Sequence, residues 1–358
     1  MKQILILSDI NSTHTQKWVI SLTKEGHQIM LFSFTNPLSN WYDSLPNFNF
    51  TCLNKNKKYK KRTLLSKINY FKSISILKKT YRNFSPDIVH SHYASSYGLM
   101  GTFLNHSPYY VSVWGSDVFT FPKHSFISKY LLKRVFRKSD KIFSTSHIMA
   151  KEIGLYTKKK VAVIPFGVDT EIFKPHKRNK TNKIVIGYIK SIEKIYGIDL
   201  LIKAFSVAIK VNNQLELKII GDGTIKQKIK DLVSELKLGN SVQFSGWIAY
   251  DHIALEYQNI DIFVNPSRFE SFGVSVLEAS SCGIPVITTN VGGLKEVSKN
   301  NVTALLIQPE NIKELSSAIL TLACNSKLRN ELGGNGRQFV LENYSLKYSI
   351  NRLLEEYK

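Results

Sequence analysis

Short β-branched runs alternate with helix-forming stretches along all 358 residues, and no other feature restricts the fold as strongly. The first series reads QILILS, QIMLFSF, PDIVHSHY, YYVSVWG, DKIFSTS and KKVAVIPFG. The second reads KIVIGYI, LELKIIGDG, SVQFSGW, IDIFVNPS and IPVITT. Strands this apolar are buried on both sides, which calls for parallel sheets with helices packed over each face. Two series imply an α/β protein of two doubly wound, Rossmann-like domains. In such sheets ligands sit at the carboxyl ends of the strands, so two facing domains would bind them in a central cleft.

The boundary falls in FGVDTEIFKPHKRNKTNK, Phe166 to Lys183, which holds Pro175, a basic cluster and no periodicity. The N-terminal domain is then residues 1–168, completed by an amphipathic helix at 345–358, and the C-terminal domain is residues 169–344. Hydrophobic residues make up 43% of the chain, enough for packed cores. Cys52, Cys282 and Cys324 are scattered without metal-ligand spacing, which fits a reducing cytoplasm. The N-terminus has too short an apolar run for a signal peptide, and no run approaches the ~18 residues that cross a bilayer. A cytoplasmic protein is expected.

The formal charge of +22 favours anionic partners. Much of it lies in KNKKYKKR (55–62) and KYLLKRVFRKSDK (129–141). No finger, ribonucleoprotein or basic-zipper motif accompanies the charge, so nucleic acid is not the expected partner. An anionic membrane surface is one, on the inner face of the cell membrane. Residues 55–82 mix lysines with Leu64, Leu65, Ile68, Tyr70, Phe71, Ile74, Ile76 and Leu77, as an interfacial helix does. An ordinary basic helix packed on its domain has the same composition.

The stretch NPSRFESFGVSVLEASSCGIPVITT (265–289) carries Glu270 and Glu278. Ser271 reads as an N-cap, Phe272 to Cys282 as a helix, and Gly283 as the residue that ends it. Val274, Leu277, Glu278 and Ser281 then share one helix face. A buried carboxylate there needs a partner. Sugar hydroxyls would serve, and the free amides of the first helical turn, reached past Gly273, would suit a phosphate. The spacing alone also fits a carboxylate decorating a helix end and another paired with a basic side chain.

The longer stretch NPSRFESFGVSVLEASSCGIPVITTNVGGLKE closely resembles the donor-site signature of the retaining glycosyltransferases of family 4, which have the GT-B fold. VAVIPFGVDTEIFKP resembles the family's hinge segment, GYIKSIEKIYGIDLLIKAF the entry to its second domain, LELKIIGDG and VQFSGWI the next two strand ends of that domain, and DIVHSHYASSYG its acceptor domain. The resemblance implies that Glu270 contacts the hydroxyls of the transferred sugar and Glu278 those of the ribose. It implies that the amides of Ser271, Phe272, Gly273 and Val274 meet the diphosphate or the sugar. Trp247 and Ile248 would lie near the base, and Gly221 and Gly223 would form a tight turn that admits the nucleotide.

The family neutralises the leaving diphosphate with an Arg after a Gly and a Lys about five residues on. Here Gly187 is followed by Tyr188, so the pair is assigned to Lys190 and Lys194. Many relatives also carry a His where this chain has Trp114. His14, His92, Trp114 and Asp117 are therefore the acceptor-side candidates, with Asp117 equally readable as a helix cap. No Asp-x-Asp pair or zinc-type cluster occurs, so no essential metal and no cofactor beyond a nucleotide-diphosphate sugar co-substrate is expected. The implied reaction is retaining, metal-independent transfer of a sugar to a lipid-linked or surface glycan, as in capsule, O-antigen or lipopolysaccharide assembly. A nucleotide-sugar 2-epimerase and a non-catalytic nucleotide-sugar-binding subunit are the alternatives.

Overall fold

The computed structural model describes residues 1–53, 64–176 and 182–358, except for the side chains of 64–72. It divides into two compact units, Met1–Pro165 with Ile350–Lys358, and Phe166–Ser349.

In the first unit the apolar runs form β1 (Gln3–Leu7), β2 (Gln28–Ser33), β3 (Phe48–Cys52), β4 (Ile88–His92), β5 (Tyr109–Val113), β6 (Lys141–Ser144) and β7 (Val161–Val163). All pair in parallel in the order β3-β2-β1-β4-β5-β6-β7. The order reverses between β1 and β4, so a crevice for ligands is expected where Ser8 and His92 end those strands. The helix Thr13–Lys24 buries Trp18, Val19 and Leu22. The helices Leu64–Phe84, Phe126–Lys138 and His147–Gly154 supply a second apolar cluster through Leu77, Leu132, Val135, Phe136, Met149 and Ile153.

Two expectations change here. Ile74, Ile76 and Leu77, expected to face lipid, pack into this core instead, because the helix needs an apolar stripe to dock on the sheet. The rest of that expected interfacial segment, residues 55–63 and the side chains of 64–72, lies outside the described residues. The C-terminal helix, Leu346–Tyr357, is divided between the units. Its end locks into the first: the Tyr357 hydroxyl lies 2.6 Å from His90 Nδ1, and Glu356 pairs with Lys141 at 3.0 Å.

The second unit holds β8 (Ile184–Ile189), β9 (Leu215–Ile220), β10 (Val242–Gly246), β11 (Ile262–Asn265), β12 (Val286–Thr289) and β13 (Ala304–Ile307). They are parallel, in the order β10-β9-β8-β11-β12-β13. The helices Ile198–Val211 and Ile312–Cys324 pack together over one cluster built on Phe205, Leu217, Ile319 and Leu322. The segment before β8 belongs to this unit from Phe166 onward: the Val168 amide donates to the Tyr344 carbonyl at 2.8 Å, and the Phe166 ring lies 5.7 Å from that of Phe272. The order of this sheet reverses between β8 and β11, which puts the segments after Ile189 and after Asn265 side by side.

Candidate active site

Lys190 follows β8 and Glu270 lies in the loop after β11, so the reversal of strand order brings them together. Lys190 Nζ is ion-paired to a Glu270 carboxylate oxygen, and it also sits 4.3 Å from the centre of the Tyr196 ring. Both side chains are largely buried. Two glycines hold their backbones in place. A Cβ on Gly221, φ +142°, would lie 2.0 Å from the Lys190 carbonyl, and a Cβ on Gly292, φ +48°, would lie 2.0 Å from the Glu270 carbonyl. Gly221 and Gly223 therefore admit the Lys190–Ile192 backbone.

The helix after Glu270 is Val274–Ser281, two residues shorter at its start than expected. Gly273 precedes it at φ +115°, outside helical geometry, and Ser271 does not cap it. The amides of Phe272, Gly273 and Val274 consequently have no hydrogen-bond partner among the described residues. A run of such donors at a helix start attracts an anion. The Phe272 side chain turns inward against Phe166 and Tyr344.

Glu278, one turn on, is 5% exposed. Two of its partners are tyrosines. The Tyr250 hydroxyl donates to Oε1 at 3.0 Å and the Tyr257 hydroxyl to Oε2 at 3.1 Å. Burial first, and then the Glu278 charge, hold both phenols protonated far above their ordinary pKa. This pair is not among the residues expected from sequence, although the seven-residue spacing of Tyr250 and Tyr257 on the helix Tyr250–Tyr257 puts both on one face. Tyr188, standing where an arginine is usual, points into the core and donates to the Ser191 carbonyl at 3.1 Å.

Lys194 is exposed at the start of a 3₁₀ turn, Lys194–Tyr196. Arg268 pins that turn. It donates to the Lys194 carbonyl at 2.6 Å, to both Asp199 oxygens at 2.7 and 2.9 Å, and to Glu310. Burial is the largest single influence on the Asp199 pKa and would raise it, but the Arg268 hydrogen bonds and charge, with its own amide and Lys203, together outweigh it and the net shift is downward. Trp247 projects from the end of β10, 74% exposed, with Ile248 beside it at intermediate exposure.

In the first unit His14, His92 and Trp114 form one aromatic cluster, with ring centres 5.9 Å apart for His14 and Trp114 and 4.5 Å for His92 and Trp114. His92 is fully buried. Its Nδ1 lies 2.9 Å from Ser8 Oγ, and its Nε2 has no hydrogen-bond partner. Burial lowers the His92 pKa well below the ordinary range and, with Lys17, takes His14 down to about 3. Asp117 is also fully buried, and it does not cap a helix. Its oxygens accept from the amides of Ala94 at 2.9 Å, Gly115 at 2.8 Å and Trp114 at 3.2 Å, which ties the loops after β4 and β5 together. Burial raises its pKa, and those three amides together with its own moderate the rise.

Among the described residues no group of three His, Cys, Asp or Glu side chains could hold a metal ion. No described helix is long and apolar enough to cross a membrane.

The sequence profile described as "Glycosyl transferases group 1" matches residues 169–339, and "Glycosyl transferase 4-like" matches residues 3–146. An uncharacterized glycosyltransferase of Methanocaldococcus jannaschii is 31% identical over 71% of this chain and 70% of its own length. The chain belongs to the group 1 glycosyltransferases. The capsular polysaccharide biosynthesis glycosyltransferase CapM of Staphylococcus aureus is 28% identical over 69% of this chain and 70% of its own. The poly(ribitol-phosphate) α-N-acetylglucosaminyltransferase of the same species is 30% identical, but the match spans only 36% of that protein.

The glycosyltransferase has the GT-B fold. Sucrose-phosphate synthase of Thermosynechococcus elongatus superposes with a TM-score of 0.82 at 20% identity, over 100% of this chain and 98% of the other. Anabaena HepE, solved with UDP and glucose, also gives 0.82, at 16% identity over 100% and 99%. In this glycosyltransferase the signature glutamates thus stand at the sheet's point of reversal, one paired with a lysine and the other held by two tyrosines.

Proposed function

We propose that this glycosyltransferase moves a sugar, with retention, from a nucleotide-diphosphate sugar to a hydroxyl of a lipid-linked or surface glycan. The observation that carries the donor half is the Lys190–Glu270 pair beside the unpartnered amides of Phe272, Gly273 and Val274. A cation and a row of N–H groups suit a diphosphate, and an adjacent carboxylate suits the hydroxyls of the sugar attached to it.

In this reading the bond from C1 of the sugar to the β-phosphate oxygen breaks while the acceptor oxygen bonds to C1 on the same face. The acceptor proton passes to the departing phosphate oxygen. Lys190 and Lys194, with the helix amides, offset the charge that grows on the diphosphate, so an essential metal forms no part of the proposal. Glu270 orients the sugar. Glu278, held by the Tyr250 and Tyr257 hydroxyls, accepts from the ribose. The exposed Trp247 offers a stacking face for the base, with Ile248 beside it.

Acceptor recognition is assigned to the first unit, at His14, His92 and Trp114, with Asp117 holding their loops. The glycan acceptor is supported by the names of CapM and the poly(ribitol-phosphate) transferase. With it goes a cytoplasmic location, where nucleotide sugars would be available to the enzyme.

A melting-temperature screen against nucleoside diphosphates and nucleotide sugars tests the donor half, since a ligand of the folded state raises the transition. Transfer with the best ligand, measured with and without EDTA, tests the rest. A chain that no nucleotide stabilises would overturn the reading.

A further inference from the structure

Single exposed apolar side chains are common on any surface, whereas a group of large ones is not. Phe126, Ile127 and Tyr130 form such a group. They are 92%, 71% and 60% exposed and lie within little more than one turn at the start of the helix Phe126–Lys138. The helix does not need them for its own packing, because Leu132, Val135 and Phe136 on the other side are fully buried in the core. Ser125 holds the first turn in place by accepting from the Ser128 amide at 3.1 Å.

The surroundings of the group carry charge of one sign. Residues 121–138 contain six lysines and arginines and no aspartate or glutamate. Lys123 approaches Glu152 only at 4.0 Å, while Lys129, Lys133, Arg134, Arg137 and Lys138 make no ion pair among the described residues. By helical spacing Phe126, Tyr130, Lys133 and Arg137 follow one another down a single stripe, aromatic at the start and cationic beyond. This is the layout of a helix end that inserts rings among lipid headgroups while its cations stay with the phosphates.

Topology gives the patch its direction. The segment joining β5 to the parallel β6 must return from the carboxyl edge of the sheet to the amino edge, so this helix begins at the carboxyl edge. His92 and Trp114 stand at that same edge, one at the end of β4 and the other just after β5.

We infer that Phe126, Ile127 and Tyr130, ringed by Lys129, Lys133 and Arg137, dock the first unit onto an anionic lipid bilayer with its acceptor-side edge toward the membrane. Nucleic acid would reward the cations but leave three exposed apolar residues unexplained. A second copy of the chain would bring the same uncompensated positive charge against itself.

The test is co-sedimentation of the full chain with vesicles of phosphatidylcholine carrying about one-third phosphatidylglycerol, against pure phosphatidylcholine. Binding to the anionic vesicles is expected to exceed binding to the neutral ones by about tenfold or more, and to collapse between about 0.1 M and 1 M salt. The triple variant F126S/I127S/Y130S and the charge variant K129E/K133E/R137E are each expected to lose about tenfold in binding. Their nucleotide-induced melting shift, which reads the other unit, should be unchanged. That control separates a failure of docking from a failure of the donor reading.

Equal binding to both vesicle types, or no binding by the natural chain, overturns the inference. So does retention by the triple variant. A dimer that the same triple substitution dissolves, or an RNA complex that it weakens without any vesicle binding, assigns the patch to another occupant and overturns it equally.

Discussion

Lys190 and Glu270 form an ion pair across the point where the second sheet reverses its strand order. Removing either partner leaves the other charge largely buried and alone, which costs more than the pair contributes. Lys190→Met and Glu270→Gln should each lose about 2 kcal/mol of stability, and the double variant should lose less than their sum. In transfer assays Glu270→Ala should abolish turnover with the fold intact. Lys190→Ala should lower kcat by about 100-fold or more, because the cation meets charge that grows as the diphosphate leaves. Unimpaired transfer by Glu270→Ala would sink the donor assignment.

The Ser275 carbonyl and Glu278 Oε2 share the single Tyr257 hydroxyl proton, and Tyr250 donates to Oε1. Hydrogen bonds to a charged group are worth about 1.5–3 kcal/mol. Tyr257→Phe should therefore destabilise the second unit by about that amount, and Tyr250→Phe should follow in the same direction. If Glu278 grips the ribose, both variants should also weaken nucleotide binding by about tenfold. Denaturant unfolding gives the first quantity and calorimetric titration the second. Loss of stability with unchanged nucleotide affinity would confine the tyrosines to a structural role.

Much of this arrangement is legible in the residue order. The apolar runs announce parallel strands because they lack an exposed face, and the signature around Glu270 announces the donor loop. The helix start is harder to read. Ser271 has the chemistry of a cap, but Gly273 at φ +115° redirects the chain two residues later, and only the packing of Leu294 and Val297 against it shows why. Glu278 needs a partner by any reading. That the partners are phenols from a helix some twenty residues earlier depends on how the helices settle, which no spacing within residues 265–289 records. Asp117 looks like a helix cap or a ligand group from its neighbours, and its burial against three amides emerges only once the loops after β4 and β5 meet. The lysines and apolar residues of 73–82 look interfacial, yet docking a helix on a sheet uses the same pattern.

The first unit should weaken in mild acid. Burial depresses the pKa of His90 from 6.5 to about 3 and takes that of His92 well below 6.5. Both are neutral in the folded chain, whereas the unfolded chain takes up their protons below pH 6.5. Their contribution is fully present above 6.5 and is lost as the pH falls from there toward 3. Each buried histidine costs about 1.4 kcal/mol per pH unit in that window, so going from pH 7.5 to 5.5 should remove about 3 kcal/mol for the two. Trp18, Trp41 and Trp114 all lie in the first unit, so their fluorescence in a Trp247→Phe background reports its unfolding. A transition midpoint that is flat across that range would contradict the prediction.

Gly292 and Gly334 make opposite predictions for the same substitution. A methyl on Gly292 would sit 2.0 Å from the Glu270 carbonyl, with the residue at φ +48°. The neighbour is backbone and cannot swing aside, so Gly292→Ala should push the Glu270 loop away. The expected result is a loss of about 2 kcal/mol or more together with a large drop in turnover. Gly334 is exposed within the helix Ser326–Asn343, and a methyl there meets nothing within 4 Å. Gly334→Ala should raise stability by about 0.5–1 kcal/mol, because alanine has less unfolded-state freedom to lose, and should leave transfer unchanged. Measured side by side, the two variants separate the tolerance of the fold from that of the donor loop. If Gly292→Ala were as harmless as Gly334→Ala, the close approach of residues 270 and 292 would not exist in solution.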